Sequence, residues 1–82
     1  MSPEHILALI QQCAREVMPQ LEQHEFKPDD SLQALGASSM DRMEIVVAVL
    51  EAMSLNIPRV ETFGPRTVEE LAVLLHEKAK AT

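Results

Sequence analysis

Apolar residues Ile6, Ile10, Cys13 and Val17 recur at steps of four, three and four, which is one face of an α-helix. Ser2 precedes that pattern as a cap. Pro3 suits the first helical position, and Glu4 favours the positive end of the helix dipole. Pro19 should end this helix or force a short new turn near Met18. A second helical pattern runs from about Ser39 to Met53. A third begins at Thr67, where Thr67 and Glu70 have capping-box spacing and Val68, Leu71, Leu74 and Leu75 supply the apolar face. The stretch EQHEFKPDD reads as loop, and Asp30 can cap a short turn whose third position is Gln33 and which stops at Gly36. NIPRVETFGP reads as a short irregular piece ended by Gly64-Pro65. The expected fold is all-α: three longer helices, a short third one between the last two, and a long connection after the first.

The Ser39–Met53 helix carries more apolar surface than one packed face needs. At about 100° per residue, Ile45, Val46, Val49 and Met53 form one sector, interrupted by Arg42. Met40, Met43, Val47 and Leu50 form a second sector about a third of a turn away, and Asp41, Glu44, Ala48 and Glu51 fill the rest. Two arrangements suit this pattern. Either a central helix buries both sectors against several neighbours, or one sector faces the core and the other meets a ligand or partner. Methionines suit an adaptable contact surface as well as a core.

The composition narrows the choice of function. Eighty-two residues allow one small domain, 1–82, with a thin core. The aromatics are Phe26 and Phe63 alone, so Leu, Ile, Val, Met and Ala must build that core, which favours helices. A net charge of −6 argues against nucleic acid or anionic membrane as partner and favours partners that present Lys or Arg. No apolar run reaches the ~20 residues of a membrane span, and the N-terminus lacks a signal-peptide layout, so a cytoplasmic monomer is expected. Cys13, the sole cysteine, falls on the apolar face of the first helix, which points to a buried structural thiol.

Candidate chemistry centres on LGASSMDRMEI, where two serines adjoin at a helix start. With Ser38 as N-cap, the third helical position is Asp41, a carboxylate at the positive end of the dipole. With Ser39 as N-cap, that position is Arg42, which is electrostatically wrong. Capping therefore assigns Ser38 to the backbone and leaves the Ser39 hydroxyl unengaged at the first helical position. A phosphate ester on Ser39 would sit beside free N–H groups at a helix N-terminus, although the commoner fate of such a pair is only to begin a helix. Self-contained catalysis is excluded by the lack of a base: His5, His24 and His76 lie in no recognisable motif, and there is no G-x-S-x-G elbow. No His/Cys spacing suggests a metal site.

Gly36-Ala37-Ser38-Ser39-Met40, followed by Asp41 and Glu44, resembles the signature of the acyl carrier proteins, in which Gly stands two residues before Asp-Ser-Leu at the start of the second helix. The similarity extends to Ile57-Pro58 and Thr67-Val68, so it covers essentially the whole chain. The resemblance implies a small acidic four-helix bundle whose motif serine, Ser39, receives a 4′-phosphopantetheine arm from a phosphopantetheinyl transferase. It also implies a partner-binding face of Met40, Asp41, Met43, Glu44, Val47 and Glu51, with Ile45, Val46, Val49 and Met53 in the core. Two positions depart from the motif: Ser38 stands for Asp and Met40 for Leu, which puts the choice or rate of the transferase in question.

SSMDRMEI together with LEAMSLNIPRVE is further similar to the discrete donor carriers of polyketide β-branching cassettes. That similarity implies an acetyl unit, made from malonyl by an acyltransferase and a decarboxylating ketosynthase, and held for a 3-hydroxy-3-methylglutaryl (HMG) synthase-like enzyme. The rivals are a generic chain-extending or peptidyl carrier, and a helical adaptor whose second apolar sector binds a partner helix.

Overall fold

The structure is a computed structural model that describes residues 2–81. Helix α1 spans Pro3–Val17, α2 spans Ser39–Met53 and α3 spans Val68–Ala81, with 3-10 turns at Pro19–Leu21 and Arg59–Thr62. Three α-helices and no strands are present among the described residues, so the expected count of four helices is not met. The short third helix is a single 3-10 turn. Pro58 precedes it and Gly64-Pro65 follows closely, and the Thr62 hydroxyl donates back to the Arg59 carbonyl at 2.6 Å. Four residues confined in this way do not propagate an α-helix.

Helix α1 packs against both α2 and α3, so the central element is α1 rather than α2. Its buried face is Ile6, Ile10, Cys13 and Ala14, with Val17 only half-buried because the chain turns away at Met18 and Pro19. Cys13 is buried as expected, and desolvation first, then the Glu16 charge, pushes its thiol pKa up, so it stays protonated and inert. Ile45, Val46, Val49 and Leu50 from α2 and Val68, Leu71, Ala72 and Leu75 from α3 complete the core.

Leu50 departs from the expected division of α2. It belongs to the second apolar sector by pattern, yet it is buried, while Met53 from the first is half-buried. In the helical projection Leu50 is the member of its sector nearest to Val46. Met53, in the last turn, sits at the edge of the packed region.

The long connection between α1 and α2 is held at both sides. Arg15 of α1 donates to the His24 carbonyl at 3.1 Å and lies over the Phe26 ring at 5.1 Å, and Phe26 meets the His24 ring edge-on. The Asp30 carboxylate accepts from the Lys27 N–H at 2.8 Å and from His24 Nε2 at 2.9 Å. Asp30 therefore does not cap the turn that follows, as its spacing suggested. Ser31 does, with its Oγ accepting from the Ala34 N–H at 3.3 Å.

Candidate functional site

The approach to α2 is built by a single turn that ends in glycine. Leu35 N–H donates to Ser31 O at 3.0 Å, Gly36 N–H to Gln33 O at 3.1 Å and Ala37 N–H to Leu32 O at 3.0 Å. This is a Schellman closure, and it needs the positive φ of +101° that Gly36 adopts. Leu32 and Ala37 are both buried, which supplies the apolar contact that accompanies the motif. The turn pins Ala37 into the core and delivers Ser38 to the surface in an extended conformation, φ −72° and ψ 173°.

Ser38 caps the helix. Its Oγ accepts from the Asp41 N–H at 3.0 Å, and the Asp41 carboxylate accepts from the Ser38 N–H at 3.1 Å, a closed capping box. Ser39 is the first helical residue and is exposed. Its hydroxyl is not wholly unengaged, however: Arg42 Nη2 donates to Ser39 Oγ at 3.3 Å. The hydroxyl proton remains available, because Oγ acts only as acceptor in that contact. Sequence reasoning treated Arg42 as a break in an apolar sector. The signal that finds it is its spacing, since a residue three positions after Ser39 shares its side of the helix.

The other residues expected to meet a partner grade outward from the core around α2. Beside buried Leu50 of the same apolar sector, Met43 and Val47 are half-buried, and Met40 is 73% exposed. Glu44 and Glu51 are exposed beside them, and Asp41 is half-buried in its box with Ser38. The result is one ridge with apolar and acidic positions side by side. Toward its C-terminal end a shallow groove of roughly 260 Å³ lies between Val47, Glu51, Leu55, Ile57 and Arg59. Val60 and Phe63 (68% and 61% exposed) add apolar surface between α2 and α3 that the sequence reading did not single out.

Residues 8–75 match the family described as phosphopantetheine attachment site. The chain is 48% identical over 66 residues to the polyketide biosynthesis acyl carrier protein AcpK of Bacillus subtilis (strain 168), covering 80% of each protein. It also superposes, with a TM-score of 0.88 and 45% identity, on a chain in the crystal structure of the curacin biosynthetic pathway HMG synthase in complex with acetyl donor-ACP. That superposition covers 92% of this chain and 96% of the other. The chain belongs to the acyl carrier protein family.

As an acyl carrier protein it is non-catalytic, and its prosthetic group is 4′-phosphopantetheine. The start of α2 suits such a group. An exposed primary hydroxyl stands at a helix N-terminus, where the dipole favours phosphate, and the guanidinium beside it has a shielded Nε with no hydrogen-bond acceptor. Of the three histidines, His5 is exposed and His24 and His76 are half-buried, in keeping with surface and rim positions. No helix among the described residues is long and apolar enough to cross a membrane.

Proposed function

We propose that Ser39 is the residue esterified by 4′-phosphopantetheine, and that the protein delivers an acetyl unit to an HMG-synthase-like enzyme for β-branching in polyketide biosynthesis. The observation that carries the first part is the division of labour at α2: Ser38 closes the cap with Asp41, and Ser39 faces solvent with its O–H free to donate. In the loading step the Ser39 hydroxyl gives its proton to the transferase, and its oxygen bonds to phosphorus as the nucleotide part of coenzyme A leaves. When bound, the arm supplies a terminal thiol that carries the acyl group as a thioester.

The rest of the work falls to the protein surface. Met40, Met43 and Val47 offer apolar contact, and Asp41, Glu44 and Glu51 offer charge to a basic partner. Docking through that ridge brings the cargo to the partner's active site at a raised effective concentration, and the acidic component makes it salt-sensitive. The second part of the proposal is supported by likeness to AcpK and to the chain in the HMG synthase complex with acetyl donor-ACP. An acetyl group is expected on this reading because a donor carrier's cargo arises from malonyl by decarboxylation.

Loading the apo protein with coenzyme A and a promiscuous transferase, acetylating it, and adding an HMG-synthase-like enzyme with an acceptor carrier tests both parts. Transfer of the acetyl group supports the donor role. Loading at Ser39 without transfer points instead to a generic chain-extending carrier, and no loading rejects the whole proposal.

A further inference from the structure

Arg42 is the single basic residue of α2 and stands one turn below Ser39. Its Cα lies on the inner side of the helix, in the sector of Ile45, Val46 and Val49, so its stem is sheltered and its head runs back toward the N-terminus. Nη2 reaches Ser39 Oγ at 3.3 Å, while Nε is closed off from water and has no hydrogen-bond acceptor. Among the described residues no carboxylate forms an ion pair with this guanidinium. The adjacent Asp41 is turned to the Ser38 N–H instead. A cation with a shielded, unsatisfied N–H beside a neutral hydroxyl is an arrangement waiting for a better acceptor.

We propose that Arg42 anchors the phosphodiester of the arm. This rests on Ser39 being the attachment point. Once Oγ becomes a bridging ester oxygen it is a poor acceptor, so the present contact weakens. The same event places anionic phosphate oxygens two bonds beyond Oγ, within the neighbourhood of a planar guanidinium suited to paired acceptors. The neutral hydrogen bond is exchanged for charge-assisted ones, and the first atoms of the arm are held at the helix start while the remainder stays free to reach a partner. Arg42 is thus a positioning residue for the arm. It takes no part in the chemistry of the cargo.

The test uses wild type, Arg42→Lys and Arg42→Ala, each loaded with coenzyme A by a promiscuous transferase, with intact mass confirming the arm and amide spectra confirming the fold. Two readouts follow: the phosphorus resonance of the diester, and hydrogen exchange at the Arg42 Nε–H in apo and holo wild type. On this account the Nε–H slows by about tenfold on loading, the low end for a charge-assisted bond. The phosphorus resonance of wild type differs from that of Arg42→Ala at low salt, Arg42→Lys falls between them, and the difference narrows at 1 M salt, where the Debye length is about 3 Å. Identical phosphorus resonances in wild type and Arg42→Ala, with Nε–H exchange unchanged by loading, overturn the anchor and leave Ser39 as attachment point. Absence of any mass gain on wild type overturns the Ser39 reading and the anchor with it.

Discussion

Helices α2 and α3 both begin at a hydroxyl cap, and they leave different things exposed. At α3, Thr67 Oγ1 accepts from the Glu70 N–H at 3.1 Å, and the carboxylate of Glu70 accepts from the Arg66 N–H at 2.8 Å. The next orphan donors are met by the long loop: Val68 N–H donates to Asp30 O at 2.9 Å and Glu69 N–H to Pro28 O at 3.1 Å. The N–H groups of Val68 and Glu69 thus hold loop and helix together, beyond the local capping box. At α2 the box closes within four residues, and among the described residues no loop carbonyl reaches the N–H groups of Ser39 and Met40. A helix start capped wholly by its own side chains is free to present chemistry. One tied down by a distant segment is structure.

The largest way to break the comparison is to remove the packing that fixes α2. Ile45 is fully buried, and Ile45→Ala should cost about 2–5 kcal/mol in chemical denaturation, whereas exposed Met40→Ala should stay within about 0.5 kcal/mol while weakening partner docking. Next comes the turn that delivers Ser38. Gly36 has open space around its Cα, so Gly36→Ala meets no clash, but its φ of +101° strains any L side chain. A loss of about 1–2 kcal/mol is expected, with slower loading of Ser39 because the cap is displaced.

The caps themselves sharpen the contrast. Ser38→Ala should cost about 1 kcal/mol, because no loop carbonyl among the described residues holds the first N–H groups of α2, and Thr67→Ala only about 0.5 kcal/mol, because the loop carbonyls still hold Val68 and Glu69. Equal losses would contradict the distinction between the two starts. The smallest effect is one of pH. The Lys27 N–H first, then His24, hold the Asp30 carboxyl below the usual aspartate range. Its contribution is therefore present above the ordinary aspartate pKa and is lost as pH falls through the lowered one. Lower protection of the Val68 and Glu69 amides, measured against the intrinsic exchange rate, below about pH 4, absent in Asp30→Asn, is the expected signature.

Much of this was legible in the sequence because the signals were local. The span of α2 and the choice of Ser38 over Ser39 as cap follow from spacing within one or two turns, whereas spacing left open which sector of α2 is buried, and the core role of Ile45, Val46 and Val49 came from the resemblance to acyl carrier proteins. What escaped depended on distant contacts. Asp30 has capping spacing toward Gln33, yet its carboxylate turns back to Lys27 and His24. Leu50 is buried because of where α2 meets the core, which no periodicity fixes at the boundary between two sectors. Arg42 carried a legible spacing to Ser39, but its meaning depends on a shielded Nε that only the packed helix reveals.

The division of labour between the two serines is tested most directly by following mass and stability together in Ser38→Ala and Ser39→Ala. With coenzyme A and a promiscuous transferase, Ser38→Ala should still gain the arm although it unfolds at lower denaturant. Ser39→Ala should keep wild-type stability to within about 0.5 kcal/mol and gain nothing. An arm that appears on Ser39→Ala, or a stability loss that follows Ser39 rather than Ser38, would contradict the account.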